Sequence, residues 1–201
     1  MIVTEDKMNS ILDDIDQTYI KGFDVETEGT RYEHRIFSLI ISTPTDSYYF
    51  NFNSKPDHTG NIPCVTLNKR RTLSLVSTTF TKGIWAAHNA KFDAQKIYLE
   101  GFGSPRQLHC TLASERLIRN DMLDYSLESV APNYGMKKDN TVDDYISEHK
   151  LYTRVMIPGK KKIHFEKHFD LVPFEIIRKY GEQDAKIARV IGESQRAALG
   201  L

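Results

Sequence analysis

Cysteine is scarce in this chain of 201 residues: there are two, Cys64 and Cys110. Two thiols set far apart make neither a disulfide framework nor a zinc-binding spacing, which predicts a protein of a reducing cytosol. Charge of one sign is also missing, because 27 basic residues balance 27 acidic ones. Net charge therefore points to no polyanionic partner, and any nucleic-acid footprint has to be local. No apolar run approaches the ~20 residues that span a bilayer, so no membrane is expected. The polar opening Met1–Ser10 lacks the apolar core of a signal peptide. There is no internal repeat and no low-complexity segment. What is present is 40% hydrophobic residues, enough for the core of one domain of ordinary size, taken as 1–201.

The periodicities predict an α/β chain. Met8, Ile11, Leu12 and Ile15 fall on one face of a helix. A strand follows over about 19–26. Runs 35–43 and 47–53 are rich in β-branched and aromatic residues and are joined by Pro44, Thr45 and Asp46, which predicts a hairpin. Its aromatic residues Tyr48, Tyr49, Phe50 and Phe52 are expected in the core rather than stacked on bases, as is Trp85. A helix over 68–80, a short buried strand 84–88 and a helix 90–100 come next; Gly101, Gly103 and Pro105 end the last of these. A strand over 107–111 and helices over about 112–119 and 125–133 follow. The stretch 135–168 is polar and charged and reads as less regular than the rest. Asp170 is placed to cap a helix with Pro173 in its first turn. A final helix reaches 198, with Ile187, Val190 and Ile191 on its apolar face. A meander followed by alternating helices and strands implies a mixed sheet with helices on both faces.

Three segments carry possible chemistry. In Gly22-Phe23-Asp24-Val25-Glu26, side chains two apart share a face, so Phe23 and Val25 enter the core while Asp24 and Glu26 project together. Two adjacent carboxylates repel unless protonated or neutralised, and oxygen donors suit Mg²⁺ or Mn²⁺. Alone, this spacing more often marks an exposed acidic strand end. Asp14 and Asp16 share the spacing but fall in a helix, where their side chains diverge; Asp143 and Asp144 read as solvated loop charges. The second segment runs from Ala87 through Asn89, a candidate cap, to Asp93 in the first turn of a helix, where a carboxylate also suits the helix dipole. The third places Tyr180 and Asp184 one helical turn apart on one face.

In this order, Asp-x-Glu, Asn-x-x-x-Asp and Tyr-x-x-x-Asp match the three motifs of the DEDD exonuclease superfamily, in its tyrosine-bearing branch. The contexts 23–30 and 87–93, with the Ser-Leu-containing run Asp124–Gly135, resemble the proofreading exonuclease domain of family A DNA polymerases over about 19–200. The branch with a histidine five residues before the last aspartate does not fit, since that residue is Lys179. The resemblance implies an RNase H-like (DnaQ-like exonuclease) fold, a five-stranded mixed sheet flanked by helices. It also implies 3′→5′ hydrolysis of phosphodiester bonds at DNA 3′ ends with two divalent ions, Mg²⁺ or Mn²⁺, and proofreading beside a DNA polymerase. By that resemblance Asp24 bridges the ions, and Glu26 and Asp184 complete the site of the attacking water. Asp93 supports the second ion, Tyr180 orients the water, and Thr27 and Asn89 lie against the terminal nucleotide.

Two departures stand out. His109-Cys110-Thr111 replaces an Asp-Thr common in relatives, and 147–168 matches none of the motifs and reads as a basic insertion. Its Lys160, Lys161 and Lys162 more often mark a solvated loop than a phosphate grip. His164 and His168 would share a face if helical, but a zinc site lacks further ligands nearby. Two competing readings are an RNA 3′-end trimmer like ribonuclease D and a nucleic-acid-binding or polymerase-accessory module without catalysis.

Overall fold

The computed structural model describes residues 1–156 and 163–201. Residues 157–162, with Lys160, Lys161 and Lys162, lie outside the described residues.

A 3₁₀ turn (Glu5–Lys7) leads into α1 (Met8–Gln17), which buries Met8, Ile11 and Ile15 as the three- and four-residue spacing dictates. Strand β1 (Ile20–Thr27) is followed by the hairpin of β2 (Ile36–Ser42) and β3 (Ser47–Asn51). Helix α2 (Lys69–Thr79) starts at Asn68, whose side chain accepts from Arg71 N–H at 3.0 Å. Strand β4 (Ile84–Ala87), α3 (Ala90–Leu99), β5 (Leu108–Cys110) and α4 (Thr111–Ile118) follow. Helix α5 (Leu127–Val130) tightens into a 3₁₀ turn, Ala131–Tyr134. Helix α6 (Thr141–Glu148), strands β6 (Tyr152–Met156) and β7 (Ile163–Lys167), and the long α7 (Phe174–Leu199) complete the described chain. No helix among the described residues is long and apolar enough to cross a membrane.

The main sheet has the order β3-β2-β1-β4-β5, with β2 antiparallel to β1 and β3, and β4 parallel to β1 and β5. It is the mixed five-stranded sheet that the resemblance implies. One face, through Phe23, Val25, Leu39, Phe50 and Trp85, packs on Ile11, Ile15, Leu73, Val76 and Ile97 of α1, α2 and α3. The other face, through Ile40 and Tyr49, packs on Ala185 and Phe174 of α7. Trp85, Tyr48, Tyr49 and Phe50 are all core residues. Asp24 and Glu26 alternate with Phe23 and Val25, so they point toward α7.

Three sequence expectations fail here. Far from being less regular, 135–168 includes α6 and the β6–β7 hairpin. Val142 and Ile146 have the four-residue spacing of a helix, a short signal among charged neighbours, and with Leu151 they bury against Phe37, Val172 and Ile177 from distant elements. Asp143 and Asp144 are consequently in the first turn of α6, where carboxylates favour a helix N-terminus. Asp170 does not cap α7: it lies in the 3₁₀ turn Phe169–Leu171, and Pro173 takes the N-cap position with no side-chain cap bond. His164 is on strand β7, so no helical histidine pair forms.

Helix α7 lies directly on β1 because Gly22 has no side chain. A Cβ there would stand 2.0 Å from the Ala185 carbonyl oxygen and 2.8 Å from Arg189 Cβ. Gly22→Ala is therefore expected to lower stability by roughly 1–3 kcal/mol or more by overpacking, read as a lower urea midpoint. Gly103→Ala, which meets nothing within 4 Å, is the control and should leave the midpoint nearly unchanged. Equal midpoints for the two variants would contradict this packing.

Candidate functional site

The acidic end of β1 is the part of the strand that β4 does not cover. The parallel ladder to β4 ends at Gly22↔Ala86, while the pairing to β2 continues through Asp24↔Ile40 and Glu26↔Ser38. Past that point Val25 N–H donates to Asp93 Oδ1 at 3.3 Å, which brings the first turn of α3 against β1. The chain turns from β4 into α3 at Asn89, which has left-handed backbone angles (φ 57°, ψ 43°). Asparagine enters that region at lower cost than most residues. Asn89 holds the N-cap position, but its side chain makes no cap bond and is exposed, contrary to the capping expectation. Thr27 is buried beside a register shift, and its hydroxyl donates to Gly29 O at 2.7 Å.

Helix α7 brings the remaining two residues. At Gly181 a Cβ would stand 3.0 Å from Ile40 Cδ1 and 3.2 Å from Glu26 Oε1, so the helix passes immediately over the Glu26 carboxylate. Tyr180 and Asp184 share one side of α7, and the ammonium of Lys138 reaches both: it pairs with Asp184 Oδ2 and donates to the Tyr180 hydroxyl at 3.0 Å. It also lies 4.1 Å from the Tyr180 ring centroid. Gln183 holds the Lys138 segment in place, accepting from Asp139 N–H at 2.8 Å and donating to Lys137 O at 3.0 Å. Lys138 is the residue the sequence reading missed. In Met136-Lys137-Lys138-Asp139 it looks like a solvated charge, and no local spacing ties it to Asp184.

The four carboxylates share one electrostatic environment. Burial, then the charges of Glu26, Asp93 and Asp184, raises Asp24 well above the usual carboxylate range. Burial followed by Asp184 pushes Glu26 up to about 8, and Lys138 opposes this. Burial pushes Asp93 up to about 7 against the Val25 hydrogen bond. Burial also raises Asp184, with Lys138 acting the other way. The Tyr180 phenol is raised by burial and then by Asp184, so it stays protonated at neutral pH.

Glu26 Oε1 and Asp184 Oδ1 are buried with no hydrogen-bond partner. A buried carboxylate oxygen without a partner is costly, and a hard divalent cation is the ligand this all-oxygen donor set suits. Among the described residues no three His, Cys, Asp or Glu side chains close round a point tightly enough to hold an ion by themselves. Asp184 is drawn to Lys138 and Asp93 to Val25 N–H. Mg²⁺ commonly takes only one or two carboxylates and completes its shell with water and substrate phosphate, so the donor set fits such an ion.

Lys138→Met removes the only cation that touches these carboxylates among the described residues. With both partners of the pair near 10% exposed, the metal-free protein should lose about 3 kcal/mol of stability. The same change should tighten Mn²⁺ binding measured by calorimetry, because a competing cation is gone. Weaker Mn²⁺ binding in the variant would mean that Lys138 supports the ion rather than competes with it.

The fold is the RNase H-like fold, shared with solved exonuclease structures. RNase D of Escherichia coli, an exoribonuclease involved in structured RNA processing, is 13% identical with a TM-score of 0.66, over 98% of this chain and 44% of that one. The Pol1 POL-domain structure of M. smegmatis, a complex with DNA primer-template and dNTP, is 11% identical with a TM-score of 0.62, over 100% of this chain and 28% of that one. NrnC of Brucella melitensis with bound Mg²⁺ is 14% identical with a TM-score of 0.52, over 93% of this chain and 78% of that one. This chain thus spans less than half the length of the first two. No protein-family model and no curated protein matches the sequence.

Proposed function

We propose that this chain is a metal-dependent 3′→5′ exonuclease that removes nucleotides from DNA 3′ ends and serves proofreading beside a DNA polymerase. The observation that carries the reading is the gathering of Asp24, Glu26, Asp93 and Asp184 from β1, α3 and α7, with buried oxygens of Glu26 and Asp184 unpartnered. Asp24, Glu26 and Asp184 would hold one divalent ion, Mg²⁺ or Mn²⁺, and Asp24 with Asp93 would hold a second. Two such ions, when bound, activate the attacking water and relieve charge on the attacking and leaving oxygens.

The protein's own groups supply placement. Tyr180 keeps its proton and hydrogen-bonds the water, fixing its line of approach. Lys138, beside Tyr180 and Asp184, supplies positive charge on the side facing the phosphate. The exposed Asn89 side chain and the backbone around Thr27 border the terminal nucleotide. The likeness to a DNA-bound polymerase chain supports the DNA assignment, and NrnC with bound Mg²⁺ supports the ion. The likeness to RNase D favours a second reading, trimming of RNA 3′ ends with the same residues.

The deciding experiment incubates 5′-labelled single-stranded DNA and matched RNA with and without Mg²⁺ or Mn²⁺, with Asp24→Ala as control. A metal-dependent ladder shortening from the DNA 3′ end, absent in the variant, is expected. A ladder on RNA alone would replace DNA by RNA as substrate, and none on either would overturn the catalytic reading.

A further inference from the structure

We infer that the outer face of the β6–β7 hairpin binds the single-stranded stretch of nucleic acid leading to the 3′ end. The register Tyr152↔Lys167, Arg154↔Phe165 and Met156↔Ile163 puts these six side chains on one face of the ribbon, since alternate residues share a side. The four apolar members are exposed: Tyr152 by 39%, Met156 by 76%, Ile163 by 55% and Phe165 by 48%. Such a contiguous apolar set on the solvent side is unusual for a ribbon with nothing to cover, and it marks a contact surface. Tyr152 and Phe165 meet edge to face at 5.4 Å, and the Arg154 guanidinium stands 5.6 Å from the Phe165 ring.

The opposite face holds the ribbon to the protein. Glu166, only 5% exposed, accepts from Arg31 Nε at 3.2 Å and lies 3.2 Å from His34 Nδ1. Those residues belong to the segment joining the acidic end of β1 to β2. At the ribbon's root, Leu151 is buried in the cluster against which Tyr180 packs. The hairpin is thus fastened both to the strand that carries Asp24 and Glu26 and to the packing around Tyr180.

The chemistry of the face selects the occupant. Aromatic rings with an adjacent guanidinium accept stacked bases without regard to sequence, and cations beside them pair with phosphates. Lys167 is paired with Asp143, but both are exposed, and such a pair is weak enough to exchange for a phosphate. A face of rings and cations, whose one neighbouring carboxylate is the exchangeable Asp143, complements a polyanion with unstacked bases, which is a single strand. The inference rests on the nuclease reading for the identity of the strand, not for the existence of the surface.

The test measures fluorescence anisotropy of a labelled 12-nucleotide single-stranded DNA with the full chain in EDTA, alongside metal-supported hydrolysis of a DNA dinucleotide, which has no strand beyond the scissile bond to lie on the ribbon. Tyr152→Ala and Phe165→Ala should each weaken oligonucleotide binding roughly 5- to 100-fold. Arg154→Glu should weaken it and make it less salt-dependent. Dinucleotide hydrolysis should stay at the wild-type rate in all three. These side chains are exposed, so circular dichroism should match the wild type. Unchanged oligonucleotide affinity in the Tyr152→Ala/Phe165→Ala double variant would overturn the surface. A wild type that binds the oligonucleotide but hydrolyses nothing would instead overturn the nuclease reading, and the variants' affinities would still decide the surface.

Discussion

Asp24→Asn is expected to lower the rate of 3′-end hydrolysis by at least ~10³-fold while making the metal-free protein more stable at pH 8. The two effects share one cause. Asparagine keeps the size and shape of the side chain but removes a charge that lies among Glu26, Asp93 and Asp184. Removing that charge relieves repulsion in the empty carboxylate cluster, so the urea midpoint rises. It also removes the shared anionic ligand on which both proposed ions depend. Metal stabilisation of the transition state is worth several kcal/mol, and about 1.4 kcal/mol corresponds to each factor of ten in rate. A residue that merely held the fold together would move stability and activity in the same direction. Retained hydrolysis in Asp24→Asn would exclude Asp24 from the chemistry.

The second large effect is on stability against pH. Glu26 is raised from 4.5 to about 8 and Asp93 from 3.8 to about 7. The native protein therefore keeps protons that the unfolded chain releases between about pH 4 and 8. Stability falls wherever the native state binds more protons than the unfolded state and the pH rises. The contribution from these groups is complete below their unfolded values and is lost as the pH rises through their folded values. In EDTA the loss between pH 5 and 8.5 should be several kcal/mol, on the scale of ~1.4 kcal/mol per unit of pKa change. Saturating Mg²⁺ or Mn²⁺ should remove most of it, because the ion binds only the native, deprotonated cluster. Urea unfolding at the two pH values, with EDTA and with metal, measures this directly. A pH-independent midpoint in EDTA, or one that metal leaves unmoved, would contradict a shared carboxylate cluster.

Much of this arrangement was legible along the chain because it depends on local geometry. The alternation Phe23-Asp24-Val25-Glu26 decides which side chains leave the core, and no partner element has to be known for that. Tyr180 and Asp184 are one helical turn apart wherever the helix lies. The core placement of Trp85 and of Tyr48, Tyr49 and Phe50 followed from short apolar and aromatic runs, which suit strands buried on both faces. Errors came where local pattern is weak. Val142 and Ile146 are one helical turn apart, but one such pair among charges is a short signal, and the cover that buries them with Leu151 comes from the distant Phe37, Val172 and Ile177. Asn89 reads as an ordinary cap, but the turn between β4 and α3 puts it in a left-handed conformation that directs its side chain outward.

By itself the sequence determined which residues could act together: two carboxylates on one strand face, a third at a helix start, and a tyrosine–aspartate pair on a later helix. Only the tertiary structure decided how closely they meet and what else joins them. The missing side chains at Gly22 and Gly181 set the height of α7 over β1. Lys138 reaches Asp184 across 46 residues, and Glu166 reaches Arg31 across 135. Periodicity is a property of a few consecutive residues and their covalent geometry. Contacts over such separations are selected by burial and charge compensation among elements that meet only when the chain has folded.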